Sequence, residues 1–162
     1  MSTIEISNAE IGDCKLILSF IQHLADYEKM SNDVVATVKA LENTLFGEKR
    51  YAEVVIANLD NTPVGFALFF HNYSTFVGKP GIFLEDLFVL PEARGKQVGK
   101  SLLIHLAKIA IERDCARFEW SVLDWNQPAI DFYRSIGAIG MEEWTVQRVD
   151  GEKLNRLARL PY

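Results

Sequence analysis

The stretch P-E-A-R-G-K-Q-V-G-K-S-L-L, Pro91 to Leu103, decides how this chain folds. It follows an apolar run, Ile82 to Leu90, that reads as a strand. It leads into a helix predicted over Gly99 to Arg113, with Leu102, Leu103, Leu106, Ala107 and Ala110 on one face. A strand that hands over to a helix this way leaves free backbone N–H groups at the positive end of a helix dipole. Such a turn becomes an anion site where glycine lets a phosphate approach the backbone. Arg94, Lys96 and Lys100 add positive charge. The spacing matches neither the P-loop nor G-x-G-x-x-G. On this loop alone, a plain turn and a phosphate cradle both stay open.

Working outward, the chain alternates helices and strands, with no internal repeat and no low-complexity linker. Strands are predicted at Ile4–Ser7, Tyr51–Leu59, Val64–Tyr73, Ile82–Leu90 and Arg117–Leu123, with a final strand or pair in Ile139–Val149. Asp60-Asn61-Thr62-Pro63 is a turn. Helices are predicted from Asp13 to Tyr27, from Thr37 as N-cap to Phe46, and from about Pro128 to Ile136, where Gly137 closes the last. The pattern is mixed α/β, a sheet covered by helices.

The 162 residues suit one domain with a real core, and 49% apolar with 24% charged is the composition of an ordinary globular protein. A net charge of -5 argues against a nucleic-acid partner and suits a cationic small molecule. Cys14 and Cys115 form no disulfide framework, so a reducing cytoplasm is the expected compartment. No basic-then-apolar leader and no 18-residue uncharged run point to secretion or a membrane. His23, His71 and His105 lack metal-ligand spacing, so no metal is expected.

Glu85 and Asp86 interrupt the apolar run Ile82–Leu90. Carboxylates in a buried strand need a reason, and strict alternation would send the two to opposite faces. An amine-directed base, an edge strand or a paired ion would each account for them. A second stretch, Trp125 to Ala138 (W-N-Q-P-A-I-D-F-Y-R-S-I-G-A), places Asn126 to cap a helix or offer its amide to a ligand. Ala129, Phe132, Tyr133 and Ile136 share one helical face. Tyr133 is either a core aromatic there or a proton donor.

Taken together, the order strand, R-G-x-x-x-G-K, helix, strand, N-x-P-A-x-x-F-Y-x-x-x-G-A resembles the GNAT superfamily of N-acetyltransferases. Within it, L-A-D-Y-E-K-M (24–30), F-L-E-D-L-F-V-L (83–90) and D-W-N-Q-P-A-I-D-F-Y (124–133) are similar to the spermidine/spermine branch, which also holds enzymes acting on thialysine. The likeness covers nearly the whole chain. It implies a GNAT fold, a mixed and mostly antiparallel sheet flanked by helices, in a single domain over residues 1–162. It implies acetyl-CoA as donor, a small primary amine as acceptor, and a homodimer.

The resemblance also implies residue roles. Glu85 would relay the amine's proton through water, with Asp86 as helper, and Tyr133 would be the acid for the departing thiolate. Leu87, Phe88 and Val89 would pair with the pantetheine arm as an added strand. Arg94 and Gly95 through Lys100 (Lys96, Gln97, Val98 and Gly99 between them) would take the pyrophosphate. Asn126, Pro128, Ala129 and Phe132 would line the CoA side. Gln97 stands where a middle glycine is usual, and the expectation is that this position needs neither positive φ nor close contact. On the acceptor side, Tyr27 and Glu28 match a substrate-contacting pair, and Glu119, Trp120 and Ser121 lie on the strand that faces the acceptor. Carboxylates spaced along a pocket would suit a polyamine. Thialysine or a lysine analogue would in addition want a cation, which the sequence does not single out. A non-catalytic acyl-CoA-binding module is the alternative outside enzymes.

Overall fold

Asp60 and Asn61 both adopt positive φ, 51° and 65°, and join two strands through a two-residue turn. Such turns twist with the strands they connect, and aspartate and asparagine tolerate the left-handed region better than most residues. The computed structural model describes residues 1–161. Around this hairpin the strands are β1 (Ile4–Asn8), β2 (Glu53–Leu59), β3 (Thr62–Ser74), β4 (Lys79–Val89) and β5 (Phe118–Trp120). The helices are α1 (Cys14–Tyr27), α2 (Val38–Leu45), α3 (Val98–Glu112), α4 (Gln127–Ser135) and α5 (Gly151–Ala158).

The sheet order follows the sequence, β1-β2-β3-β4-β5. The first four strands are antiparallel neighbours, and β5 runs parallel to β4. This is an α/β architecture with a five-stranded mixed sheet flanked by helices. Backbone contacts divide the chain into two compact units, residues 1–121 and the residues from 122 on.

The first unit holds the sheet and its core. On one face, Cys14, Ile17 and Phe20 of α1 and Leu41 and Leu45 of α2 pack with Val54, Phe66 and Phe88 of the sheet. Phe20 stacks on Phe66 with ring centroids 5.5 Å apart. Each such side chain removed from water contributes about 1.5–3 kcal/mol. Strand alternation turns Leu87 and Val89 away from Phe88, and their side chains lie under Gly99 of α3. The buried stripe Val98, Leu102, Leu103, Leu106 and Ala110 covers this other face. Thr37 caps α2 as its sequence position predicts, accepting from the Ala40 N–H at 3.1 Å.

The predicted strands shift where turn chemistry wins. β3 begins at Thr62 rather than Val64, because the tight turn consumes only two residues. Pro63, which cannot donate to a ladder, falls beside the register shift at Ala57/Asn58. β4 begins at Lys79 rather than Ile82, because the hairpin with β3 stays paired out to Ser74↔Lys79.

β5 is only three residues, not the seven of Arg117–Leu123; its pairing with β4 ends at Leu84↔Trp120. The predicted strand or pair in Ile139–Val149 is absent. A turn in which the Trp144 N–H bonds to the Met141 carbonyl at 3.1 Å interrupts the run, which has no ladder partner among the described residues. α5, which the sequence reading left out, lies just beyond. No described residue from 122 on is buried, and Trp144 stays 77% exposed.

Candidate active site

β4 is paired on both edges only in its first half. β3 runs along its whole length, but β5 meets it only at Ile82, Phe83 and Leu84. Beyond Leu84 the β5-side edge has no strand partner among the described residues. The ladder with β3 slips at the same point, from Phe69↔Leu84 to Leu68↔Asp86. Glu85 is therefore the extra residue of a β-bulge. The strict alternation expected to separate Glu85 from Asp86 is broken at that very pair. An unpaired edge can accept an extended chain by backbone hydrogen bonds. Leu87, Phe88 and Val89 lie on this stretch.

β4 runs through a short turn at Pro91–Ala93 into the glycine loop and α3. Gly95 and Gln97 both take positive φ, 75° and 68°. The expectation for Gln97 is corrected here: the position does need the left-handed region, which is why glycine suits it. No side chain caps the start of α3, so the amides of its first turn, from Val98, Gly99 and Lys100, stay available to an anion. A Cβ built at Gly95 would meet nothing within 4 Å, so the approach is open. Lys96 and Lys100 are exposed beside it. The loop and open edge suit a ligand that is phosphorylated at one end and extended at the other.

Three carboxylates gather at the bulge. Burial, the Glu85 charge and the Glu28 charge together push the Asp86 carboxyl up to about 6. Burial also raises Glu28, at the end of α1. Glu85 is exposed. No salt bridge joins any of the three to a cation among the described residues.

Arg94 turns back from the loop. Its Nε donates to the Val89 carbonyl at 3.0 Å. Its guanidinium sits 5.1 Å from the Tyr27 ring centroid and 5.5 Å from that of Phe88. This placement joins one residue expected on the CoA side to one expected on the acceptor side. The sequence could not signal it, since Tyr27 and Arg94 are far apart in the chain.

Glu119 is engaged within the protein. Its Oε1 accepts from Arg117 Nε at 2.6 Å and from Asn72 Nδ2 at 2.9 Å. Trp120 closes β5 with its ring 4.9 Å from Phe118, and Ser121 ends the first unit.

In the second unit, Asn126 chooses the cap. Its Oδ1 accepts from the Ala129 N–H at 3.4 Å, with Pro128 in the first turn of α4. Phe132 and Tyr133 lie side by side, ring centroids 5.8 Å apart. The helix ends where Gly137 takes φ 94°.

The fold and the site combine a mixed sheet, a bulged strand left unpaired on one edge beyond Leu84, and an uncapped helix start. The sequence matches the Acetyltransferase (GNAT) family over residues 20–138. It is 36% identical to the thialysine N-epsilon-acetyltransferase of Sus scrofa, covering 98% of this chain and 99% of that one. It is 29% identical to the L-ornithine N5-acetyltransferase of Arabidopsis thaliana, covering 91% of this chain and 85% of that one. A solved integron cassette protein from V. cholerae superposes with a TM-score of 0.81 at 31% identity, over 97% of this chain and 98% of that one. The chain belongs to the GNAT family of acetyltransferases. Acyl-CoA-dependent N-acetyl transfer is that family's activity.

Proposed function

We propose that the chain moves the acetyl group of acetyl-CoA to the side-chain amine of a small acceptor of the thialysine type. The observation that carries this is the bulge at Glu85. An anionic cluster and an open strand edge adjoin it, and the same strand leads on to the uncapped start of α3. The family match spans the division at residue 121, which supports reading residues 1–162 as one catalytic domain. Two unpaired cysteines suit a cytoplasmic enzyme, and likeness to the branch extends the reading to a homodimer.

The chemistry follows from proton balance. An alkylammonium has a pKa near ~10.4 and cannot attack a thioester until it loses a proton. In this reading Glu85 contacts the amine through water. Asp86, whose pKa is raised to about 6, is where the proton comes to rest. The free amine attacks the acetyl carbonyl, a C–N bond forms as the C–S bond breaks, the CoA thiolate takes a proton from Tyr133, and the nitrogen's surplus proton restores the Tyr133 hydroxyl as the amide forms. Leu87, Phe88 and Val89 hold the pantetheine arm. The Gly95–Lys100 loop holds the pyrophosphate, and Asn126, Pro128, Ala129 and Phe132 line the CoA. Holding both substrates in line supplies much of the rate. Tyr27, Glu28, Trp120 and Ser121 border the acceptor, and Glu119 braces β5 beside it. Three carboxylates with no salt bridge to a cation among the described residues also favour a second reading, a polyamine acceptor.

Thiol release from acetyl-CoA, followed across thialysine, lysine, ornithine, spermidine and a lysine peptide, tests the proposal. Turnover with none of them, while CoA still binds, would leave a binding module instead of an enzyme. Tyr133→Phe is expected to lower kcat by about ten- to a thousand-fold. Unchanged turnover removes Tyr133 from the mechanism.

A further inference from the structure

We propose that Asn72 is a positioning residue for the acyl donor: it braces Glu119 from across the sheet, fixes β5 against β4, and so keeps the free edge at Leu87–Val89 open to the pantetheine arm. This deepens the acetyltransferase reading and rests on it.

The edge is free because β5 stops at Leu84↔Trp120, and β5 has little of its own to hold it there. Three residue pairs join it to β4 in a parallel ladder, the less stable kind per residue. A pairing this short specifies its register weakly. A slip of two residues would bring Trp120 level with Asp86 and lay β5 along the edge that an extended ligand needs.

Side chains supply what the ladder lacks. Asn72 lies on β3, with β4 between it and β5, so a contact with β5 has to span two strand spacings, about 9.6 Å. Asn72 makes that contact over Gly81, its partner residue on β4. Its Nδ2 donates to Glu119 Oε1 at 2.9 Å. Glycine is what lets the amide through. A Cβ at Gly81 would collide with Asn72 Oδ1 and crowd Arg117, 3.0 Å from its Cγ and 3.2 Å from its carbonyl oxygen. Arg117 returns the connection. Its Nε donates to the same Glu119 Oε1 at 2.6 Å, and its Nη2 donates to the Tyr73 carbonyl of β3 at 3.2 Å. Two successive residues of β3, Asn72 and Tyr73, thus hold Glu119 and Arg117 from across β4.

An amide at this position is costly. Asn72 Oδ1 is buried with no hydrogen-bond partner among the described residues. A buried acceptor left unpaired destabilises the fold, and an apolar side chain of the same size would avoid that. The hydrogen bond to Glu119 is what the amide adds. The strap from β3 to β5 therefore contributes position more than stability, which separates it from ordinary packing.

The test reads donor binding in two halves. Calorimetry with the full-length protein measures Kd for CoA and for 3′-phospho-ADP, the nucleotide half that lacks the pantetheine arm. Asn72→Ala is expected to weaken CoA by about 3- to 30-fold, the reach of a residue that does not touch the ligand. Binding of 3′-phospho-ADP should stay within about two-fold, since the α3 amides that take the phosphates are untouched. The melting temperature should move by no more than a few degrees. Gly81→Ala, which fills the gap from the β4 side, should weaken CoA in the same way. Asn72→Asp sets a second carboxylate against Glu119 and should weaken it further. Adding Glu119→Gln to that change exchanges donor and acceptor and should restore much of the lost affinity, a coupling that general loosening of the fold does not give. This pair of variants decides the matter if the alanine variant does not fold. Three results overturn the proposal: native CoA affinity in Asn72→Ala, equal weakening of CoA and 3′-phospho-ADP, or a double variant no better than Asn72→Asp alone. The same proteins are assayed for thiol release at saturating acetyl-CoA. Turnover together with an unmoved CoA affinity in the strap variants would sink this inference alone. The expected CoA response with no thiol release from any acceptor would sink the acetyltransferase reading alone, with the strap still positioning a bound CoA.

Discussion

Ile82 and Asp86 lie four residues apart on β4 and sit in opposite circumstances. Ile82 is fully buried, pairs with His71 on one side and Phe118 on the other, and gives its N–H to the Arg117 carbonyl at 3.0 Å. Asp86 pairs on one edge only, beside a bulge, and shares its surroundings with two further carboxylates. The same strand thus carries a fully satisfied half and a half left open at some cost in stability. The open half is where a ligand can complete the sheet. Stability and chemistry are divided along one segment, and substitutions on either side of Glu85 should separate them.

The largest effect belongs to the closed half. Ile82→Ala removes methylenes from a fully buried site, for about 2–5 kcal/mol. The expected result is a lower denaturant midpoint, while kcat of the still-folded fraction stays within a few-fold. A collapse of kcat with no change in midpoint would break the division.

Asp86→Asn should do the reverse, costing activity and adding stability. Folding lifts the Asp86 pKa from 3.8 to about 6, chiefly by burial, then by Glu85 and Glu28. A raised carboxyl pKa favours the protonated form in the folded chain. Its contribution is full below the unfolded value and is lost as pH rises through the folded one. The neutral asparagine escapes that loss, so the variant should gain roughly 2–3 kcal/mol above pH 6 and coincide with the native protein near pH 4. Unfolding curves at several pH values read this directly. The acidic limb of kcat/KM near pH 6 should vanish with it. A gain of equal size at every pH would mean packing and not charge.

Glu85→Gln sharpens the same point on a smaller scale. It removes one of the two charges that raise Asp86, but not the burial, so the acidic limb should move to lower pH by less than about one unit. A limb that stays in place would show that Asp86 does not feel Glu85 in solution.

The closed half was legible in sequence, and the open half only in part. Apolar runs, the Thr37 cap and the helical stripe of α3 announce themselves through local spacing. The carboxylates could be singled out because charge inside an apolar run is conspicuous. The bulge could not, since a register slip depends on which residue of β3 stands opposite. Arg94 over Tyr27, and Glu119 held by Asn72, are pairings across the chain that no local pattern encodes. The run Ile139–Val149 holds strand-favouring residues such as Ile139, Trp144, Thr145 and Val146, but composition supplies no ladder partner.

Gln97 carries the contrast past the end of β4. Asn126 fills the start of α4 with its own side chain, whereas α3 starts at a left-handed Gln97 that offers no side-chain cap. A non-glycine residue in that region costs about 1–2 kcal/mol, offset partly by the freedom glycine would have in the unfolded chain. Gln97→Gly should therefore raise the melting temperature slightly, by the equivalent of less than about 1 kcal/mol. It removes no backbone N–H, so CoA affinity measured by calorimetry should hold or improve. If affinity falls instead, the glutamine side chain itself contacts the donor. The helix start would then resemble that of α4 in using a side chain, and the contrast between the two would fail.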